Sequence, residues 1–177
     1  SPLSKVLPQQ ASNRSRGAFW LFENQQKVAF SPSLFVQSSK EDDLTKDYIK
    51  LPQTWLLGRH AEIDQQPGEW VEATVPGAVQ LDWGKAHGLP EYIYSDNYLS
   101  YLGMEDSFWT YASALQFPEL TPGQRLFFVC GGIDYRFDIG LGKTVLLQQE
   151  GMFTPVSLEL TDLAKQGDVL WVRVHPA

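Results

Sequence analysis

An all-β sandwich is the fold that this 177-residue sequence predicts. Three features carry that expectation. Apolar runs of strand length recur at short, regular spacing from Leu51 onward. Glycine and proline clusters punctuate them as turns. No stretch holds a 3.6-residue period long enough for a long amphipathic helix.

The first fifty residues are the least patterned. Ser1 to Gly17 is polar and reads as a mobile lead-in. Phe19-Trp20-Leu21-Phe22, Val28-Ala29-Phe30 and Leu34-Phe35-Val36 are short apolar runs, each a possible strand, parted by Asn24-Gln25-Gln26 and Ser31-Pro32-Ser33. Ser38 to Lys50 holds Glu41-Asp42-Asp43 and predicts a solvated loop or a short helical turn. Its carboxylate spacing does not match an EF-hand, and no turn glycine follows. The chain thus divides into an N-terminal extension, residues 1–50, with possible extra strands, and a sandwich domain, residues 51–177.

Within that domain Trp55-Leu56-Leu57 is a short apolar run, and Gln65-Gln66-Pro67-Gly68 signals a turn. Trp70 to Val75 alternates apolar and polar residues, ending at Pro76-Gly77. Val79 to His87 predicts a short helix, stopped by Gly88 and Pro90. Trp109, Tyr111, Ser113, Leu115 and Phe117 share one face of a strand. Leu126 to Cys130 is continuously apolar and predicts a strand buried on both faces. Tyr135, Phe137, Ile139 and Leu141 form a period-2 stripe. Val145–Gln149, Phe153–Leu160 and Val169–Val174 complete the strands. Thr161 to Gly167 predicts one helical turn with Thr161 as N-cap and Gly167 as C-cap.

Charge narrows the partners. Fourteen Lys and Arg against 21 Asp and Glu leave a net charge of −7. Nucleic acid and anionic membrane surfaces reward a basic face, so neither is an expected partner, whereas a neutral sugar is compatible. The single cysteine, Cys130, excludes an internal disulfide and a cysteine zinc site, and its apolar run predicts an inert, packed thiol. His60, His87 and His175 are too scattered for a two-histidine metal motif. No apolar run approaches the roughly 18–20 residues of a membrane span, and Ser1-Pro2 opens without a basic-then-apolar leader.

No cofactor is expected. Gly140-Leu141-Gly142-Lys143-Thr144 resembles a phosphate loop, but Phe137 stands where its first glycine belongs and no helix pattern follows, so a hairpin turn is expected. A dinucleotide fingerprint fails at Val145. No serine sits in a nucleophile elbow, and no carboxylate pair can be set across a sugar as glycoside hydrolysis requires, so no catalytic residue is assigned.

The informative feature is an aromatic concentration between Trp83 and Tyr111. It contains Tyr92, Tyr94, Tyr98, Tyr101, Phe108 and Trp109, interleaved with Asp82, Asp96, Asn97, Glu105 and Asp106. Sugars present apolar C–H faces and rings of hydroxyls. Flat aromatic faces beside carboxylate and amide groups match that chemistry, although many such aromatics serve a core instead.

Six short motifs then occur in order: Val75-Pro76-Gly77-Ala78-Val79, Tyr92-Ile93-Tyr94-Ser95-Asp96-Asn97, Phe108-Trp109-Thr110-Tyr111, Gly131-Gly132-Ile133-Asp134, Glu150-Gly151-Met152-Phe153-Thr154-Pro155, and Leu170-Trp171-Val172-Arg173-Val174. Together they resemble the N-terminal sugar-binding domain of family 2 glycoside hydrolases, the β-galactosidases, β-glucuronidases and β-mannosidases. The resemblance covers roughly Leu51 to Ala177, and its Glu-Gly-Met-Phe-x-Pro form leans towards the β-mannosidase-like branch.

That resemblance implies a jelly-roll β-sandwich of the galactose-binding-like kind. It implies an accessory role, in which this domain shapes the substrate cleft of a TIM barrel that follows an immunoglobulin-like domain and carries the catalytic carboxylates. It places the sugar-reaching asparagine at Asn97, with Asp96 beside it, and leaves Trp109 or Trp83 as a stacking face. Leu141 and Gln149 depart from the family's usual asparagine and histidine. The acidic-aromatic segment usually found near the end of such domains is missing. A periplasmic or secreted location follows by analogy with bacterial enzymes that degrade polysaccharides. The rival readings are an autonomous lectin-like module and a purely structural interaction domain.

Overall fold

The structure is a computed structural model that describes residues 32–39, 46–152 and 154–176. In chain order its strands are β1 (Ser33–Ser39), β2 (Lys46–Leu51), β3 (Trp55–His60), β4 (Trp70–Ala73), β5 (Phe108–Ala114), β6 (Gln124–Cys130), β7 (Arg136–Leu141), β8 (Thr144–Glu150), β9 (Val156–Glu159) and β10 (Val169–Val174). One α-helix, α1 (Val79–Ala86), and one 3-10 helix (Ser95–Tyr101) lie between β4 and β5.

The strands form two antiparallel sheets, one in the order β2-β1-β6-β9 and the other in the order β4-β3-β5-β10-β7-β8. Alternation sets which side of each strand goes inward. Leu57, Tyr111, Val172 and Ile139 stand in one cross-strand row over β3, β5, β10 and β7, and all are buried. Leu34, Val36, Leu126, Phe128 and Cys130 are buried in the other sheet, and the Trp55 and Phe128 rings meet across the gap at 6.4 Å. Each fully buried Leu, Ile, Val or Phe contributes about 1.5–3 kcal/mol, and a one-residue slip would turn a whole row to water. That contrast fixes the register. The architecture is the all-β sandwich expected.

Several local expectations are met. The helix at Val79–Ala86 closes on His87, whose Nδ1 lies 2.9 Å from the Trp83 carbonyl, and Gly88 follows at φ 63°. The stretch that resembles a phosphate loop is a β7–β8 hairpin turning at Gly142, φ 56°. The Cys130 thiol is fully buried and lies 3.5 Å from the Gly132 carbonyl.

Other expectations are corrected. The stretch up to Lys50, expected as loop or helical turn, instead enters strand β2 (Lys46–Leu51), paired along β1. Asp47, Tyr48, Ile49 and Lys50 are all exposed, so no burial contrast marked it, and its charges suit a sheet edge. Strand β6 is buried on one face only, because Phe127 and Val129 point away from the core and stay half-exposed. Tyr135 lies outside its stripe, ahead of β7 and 53% exposed. Thr161 does not cap a helix. Its hydroxyl accepts the Leu126 amide at 3.0 Å and donates to Glu159 Oε1 at 2.9 Å, tying the turn to β6. The runs at Phe19–Phe22 and Val28–Phe30, the lead-in before Gly17, and Glu41-Asp42-Asp43 lie outside the described residues.

Candidate functional site

The segment from His87 to Ser107 joins α1 to β5, at the end of the six-stranded sheet where β3 finishes and β5 begins. Its anchor is Tyr101, whose hydroxyl donates to the Pro90 carbonyl at 2.8 Å. Its ring lies against Gly84 on α1, where any side chain would overlap it. Tyr92 meets the Tyr101 ring edge-on at 5.2 Å. From β3, Arg59 donates to the Gly103 carbonyl at 2.9 Å and to Ser107 Oγ at 2.8 Å. The base of the segment is therefore fixed by packing and charge-assisted bonds, while its tip stands in solvent.

Asp96 and Asn97 are neighbours in the 3-10 helix of that tip. Asp96 is exposed. Asn97 is half-buried, and its Nδ2 donates to the Glu91 carbonyl at 2.8 Å, closing the loop on itself. Its amide hydrogens are thus partly spent on structure, leaving Oδ1 as its acceptor for a ligand.

The two tryptophans are placed elsewhere. Trp109 is 3% exposed, its indole N–H donates to the Met104 carbonyl at 2.9 Å, and Arg59 lies over its ring. Trp83 packs edge-on to Trp109 at 5.3 Å and has one face covered by His87 at 4.3 Å. The expectation that Trp109 presents a stacking face is therefore corrected, because the ring is 3% exposed, while Trp83 is half-buried with one face against His87. The exposed rings beside Asp96 and Asn97 are instead Tyr94, 60% exposed, and Tyr98, 45% exposed. Both stood in the aromatic concentration, but composition alone could not sort them from the core.

Below the segment lies a cavity of about 230 Å³. Met104, Trp109 and Val174 give it apolar walls, and Glu105, Asp134, Arg136 and Glu150 give it polar ones. Gln80, from the first turn of α1, also lines it. Burial pushes the Asp134 pKa upward. Among the described residues no three His, Cys, Asp or Glu side chains converge closely enough to hold a metal ion.

The fold and this end define the chain as a galactose-binding-like β-sandwich domain, with a rigidly based, polar-tipped segment beside a lined cavity. The chain belongs to the glycosyl hydrolase 2 galactose-binding-domain-like family, whose description matches residues 55–177. Among solved structures it is similar to the β-D-mannosidase of Dictyoglomus thermophilum, with a TM-score of 0.58 and 23% identity. That match covers 70% of this chain and 15% of the mannosidase, a likeness that speaks for the fold. No curated protein matches in sequence.

Proposed function

We propose that this chain is a non-catalytic, saccharide-contacting accessory domain of a family 2 β-glycosidase. The observation that carries the reading is the fixed segment that holds Asp96 and Asn97 at its tip, within a domain of that family. Asp96 and Asn97 Oδ1 accept hydrogen bonds from sugar hydroxyls, and Tyr94 or Tyr98 offers a flat face to the C–H side of a ring. Hydrolysis belongs to carboxylates on a barrel domain of the same enzyme, whose cleft this segment helps to shape.

The test has two arms. This chain alone should hydrolyse no aryl β-glycoside. In the complete enzyme, Asn97→Ala should lower kcat/KM about tenfold, the loss of one well-placed hydrogen bond. Unchanged kinetics on β-mannosides and β-galactosides would overturn the cleft-shaping role. Sub-millimolar monosaccharide binding by the isolated chain, read by calorimetry, would favour the autonomous lectin-like module instead.

A further inference from the structure

The outward face of the six-stranded sheet carries a groove over β5. Its floor is Thr110 and Ala112, outward neighbours on that strand. Residues 61–69, between β3 and β4, build one wall. A two-residue turn could close this antiparallel pair, yet the chain folds back onto the sheet instead. Arg173 Nη1 donates to the Ile63 carbonyl at 2.8 Å, and Pro67 lies so close on Gly58 that an added Cβ would overlap it. Trp70, 39% exposed, continues this wall. The opposite wall is Trp171 with the β7–β8 turn at Gly142 and Lys143. The Trp171 indole N–H donates to the Gly142 carbonyl at 2.9 Å, and the Arg173 guanidinium lies 5.2 Å from the ring centroid. Both walls are therefore pinned to the sheet. The space between them is about 600 Å³, inside the roughly 300–1,000 Å³ of sites for small organic ligands.

The lining selects the ligand. Arg173 is already paired with Asp138 at 2.7 Å, which leaves Lys143 and Asp64 as charges of opposite sign. Burial lowers the His60 pKa, so the imidazole beside Thr110 is neutral at pH 7. No net charge is left to draw a phosphate or a cation. What remains is an exposed indole beside amide side chains. Gln65 Oε1 accepts the Ala61 amide at 3.2 Å, which leaves its own amide hydrogens as donors, and Gln66 adds a second amide. We propose that this groove binds a short stretch of a neutral oligosaccharide, as a second saccharide site apart from Asp96 and Asn97. The C–H face of one sugar ring lies on Trp70, and hydroxyls of the chain exchange hydrogen bonds with Gln65, Gln66 and Lys143. None of the lining residues comes from the His87–Ser107 segment, so the site stands whether or not that segment touches sugar. Its consequence alone rests on the accessory role proposed above: a polymer held here stays tethered to the enzyme, which raises the effective concentration of its free end at the cleft.

The experiment is a ¹H–¹⁵N NMR titration of the 177-residue chain with β-linked mannotriose and with cellotriose, followed at the Trp70 and Trp171 indole N–H signals. Saturable shifts with a dissociation constant of about 1–10 mM are expected for at least one trisaccharide, with mannose and glucose about tenfold weaker. Trp70→Ala, at an exposed position on the edge strand β4, should weaken binding about tenfold. Gln66→Ala, on the exposed loop, should weaken it severalfold and keeps the test intact if Trp70→Ala fails to fold. Asn97→Ala should leave the indole shifts unchanged even if it abolishes sugar contact at the tip, so the two readings fail separately. Shifts confined to the segment around Asp96 and Asn97 would overturn the groove and leave the tip standing. No saturation of the indole signals by about 50 mM, shifts undiminished in both variants, or an equal response to inorganic phosphate would likewise overturn it.

Discussion

At the residue scale Asp138 carries the largest electrostatic load. It sits on β7, 2% exposed, on the sheet face turned away from the core. Its Oδ2 accepts Arg173 Nη2 at 2.7 Å and pairs with His175 Nε2 at 2.9 Å, and its Oδ1 accepts Gln148 Nε2 at 3.0 Å. Arg173 also donates to the Ile63 carbonyl at 2.8 Å, which pins the β3–β4 loop to the same point. Burial alone would raise the Asp138 pKa, but the bonds from Arg173, His175 and Gln148 outweigh it and hold the carboxyl below its ordinary range. A depressed native pKa contributes stability above the unfolded value, near 3.8, and loses it as pH falls through the native value. Asp138→Asn keeps the shape but leaves Arg173 without its counter-charge. It should cost about 3 kcal/mol by urea denaturation at neutral pH. The gap between wild type and variant should shrink below the unfolded value, and a gap independent of pH would show that the charge is not what stabilises.

At the element scale the decisive feature is how closely outward-facing rings lie on the six-stranded sheet. Gly140 on β7 opposes Trp171 on β10, beside a bulge in the β7–β8 ladder. The indole, held by its N–H to the Gly142 carbonyl at 2.9 Å, covers the glycine, and an alanine Cβ there would overlap the ring. Gly140→Ala should therefore destabilise the domain by about 1–3 kcal/mol, as overpacking does. Gly68→Ala, with no atom close to the new methyl, should change stability by less than about 0.5 kcal/mol. Equal midpoints for the two variants in chemical denaturation would show that the ring moves aside freely.

The same scale explains what was legible in the sequence. Strands β5 and β10 alternate between buried and half-exposed residues, so alternation marked them, whereas β7 is buried on both faces and was marked by Asp138 and Gly140 between its apolar residues. Strand β2 has no such contrast and was missed. The Asp96–Asn97 tip was legible as a motif. The burial of Trp109 was also readable, because it shares the stripe of Tyr111 and Ser113 that forms the core row. The cavity was not legible, since Gln80 and Asp134 come from elements far apart in the chain that meet only in the folded sandwich.

At the scale of the whole molecule the question is which part of the chain closes the sandwich. The family match begins at residue 55, yet β1 and β2 precede it and supply half of the four-stranded sheet. Strand β1 pairs along β6 from Ser33↔Val129 to Ser38↔Gln124, and it buries Leu34 and Val36 against the core. A chain beginning at Pro52 would lose those two side chains, worth about 1.5–3 kcal/mol each. It would also lose a ladder of hydrogen bonds at about 1 kcal/mol apiece. Together these rival the roughly 5–15 kcal/mol that holds a typical domain. The loss would leave β6, a central strand, as an open edge beside half-exposed Phe127 and Val129, a template for pairing with other chains. The shortened chain should therefore show no cooperative thermal transition and should associate in solution, whereas the full chain melts as a unit. If it instead gave a dispersed NMR spectrum and melted within a few degrees of the full chain, β1 and β2 would be an addition to a sandwich that closes without them.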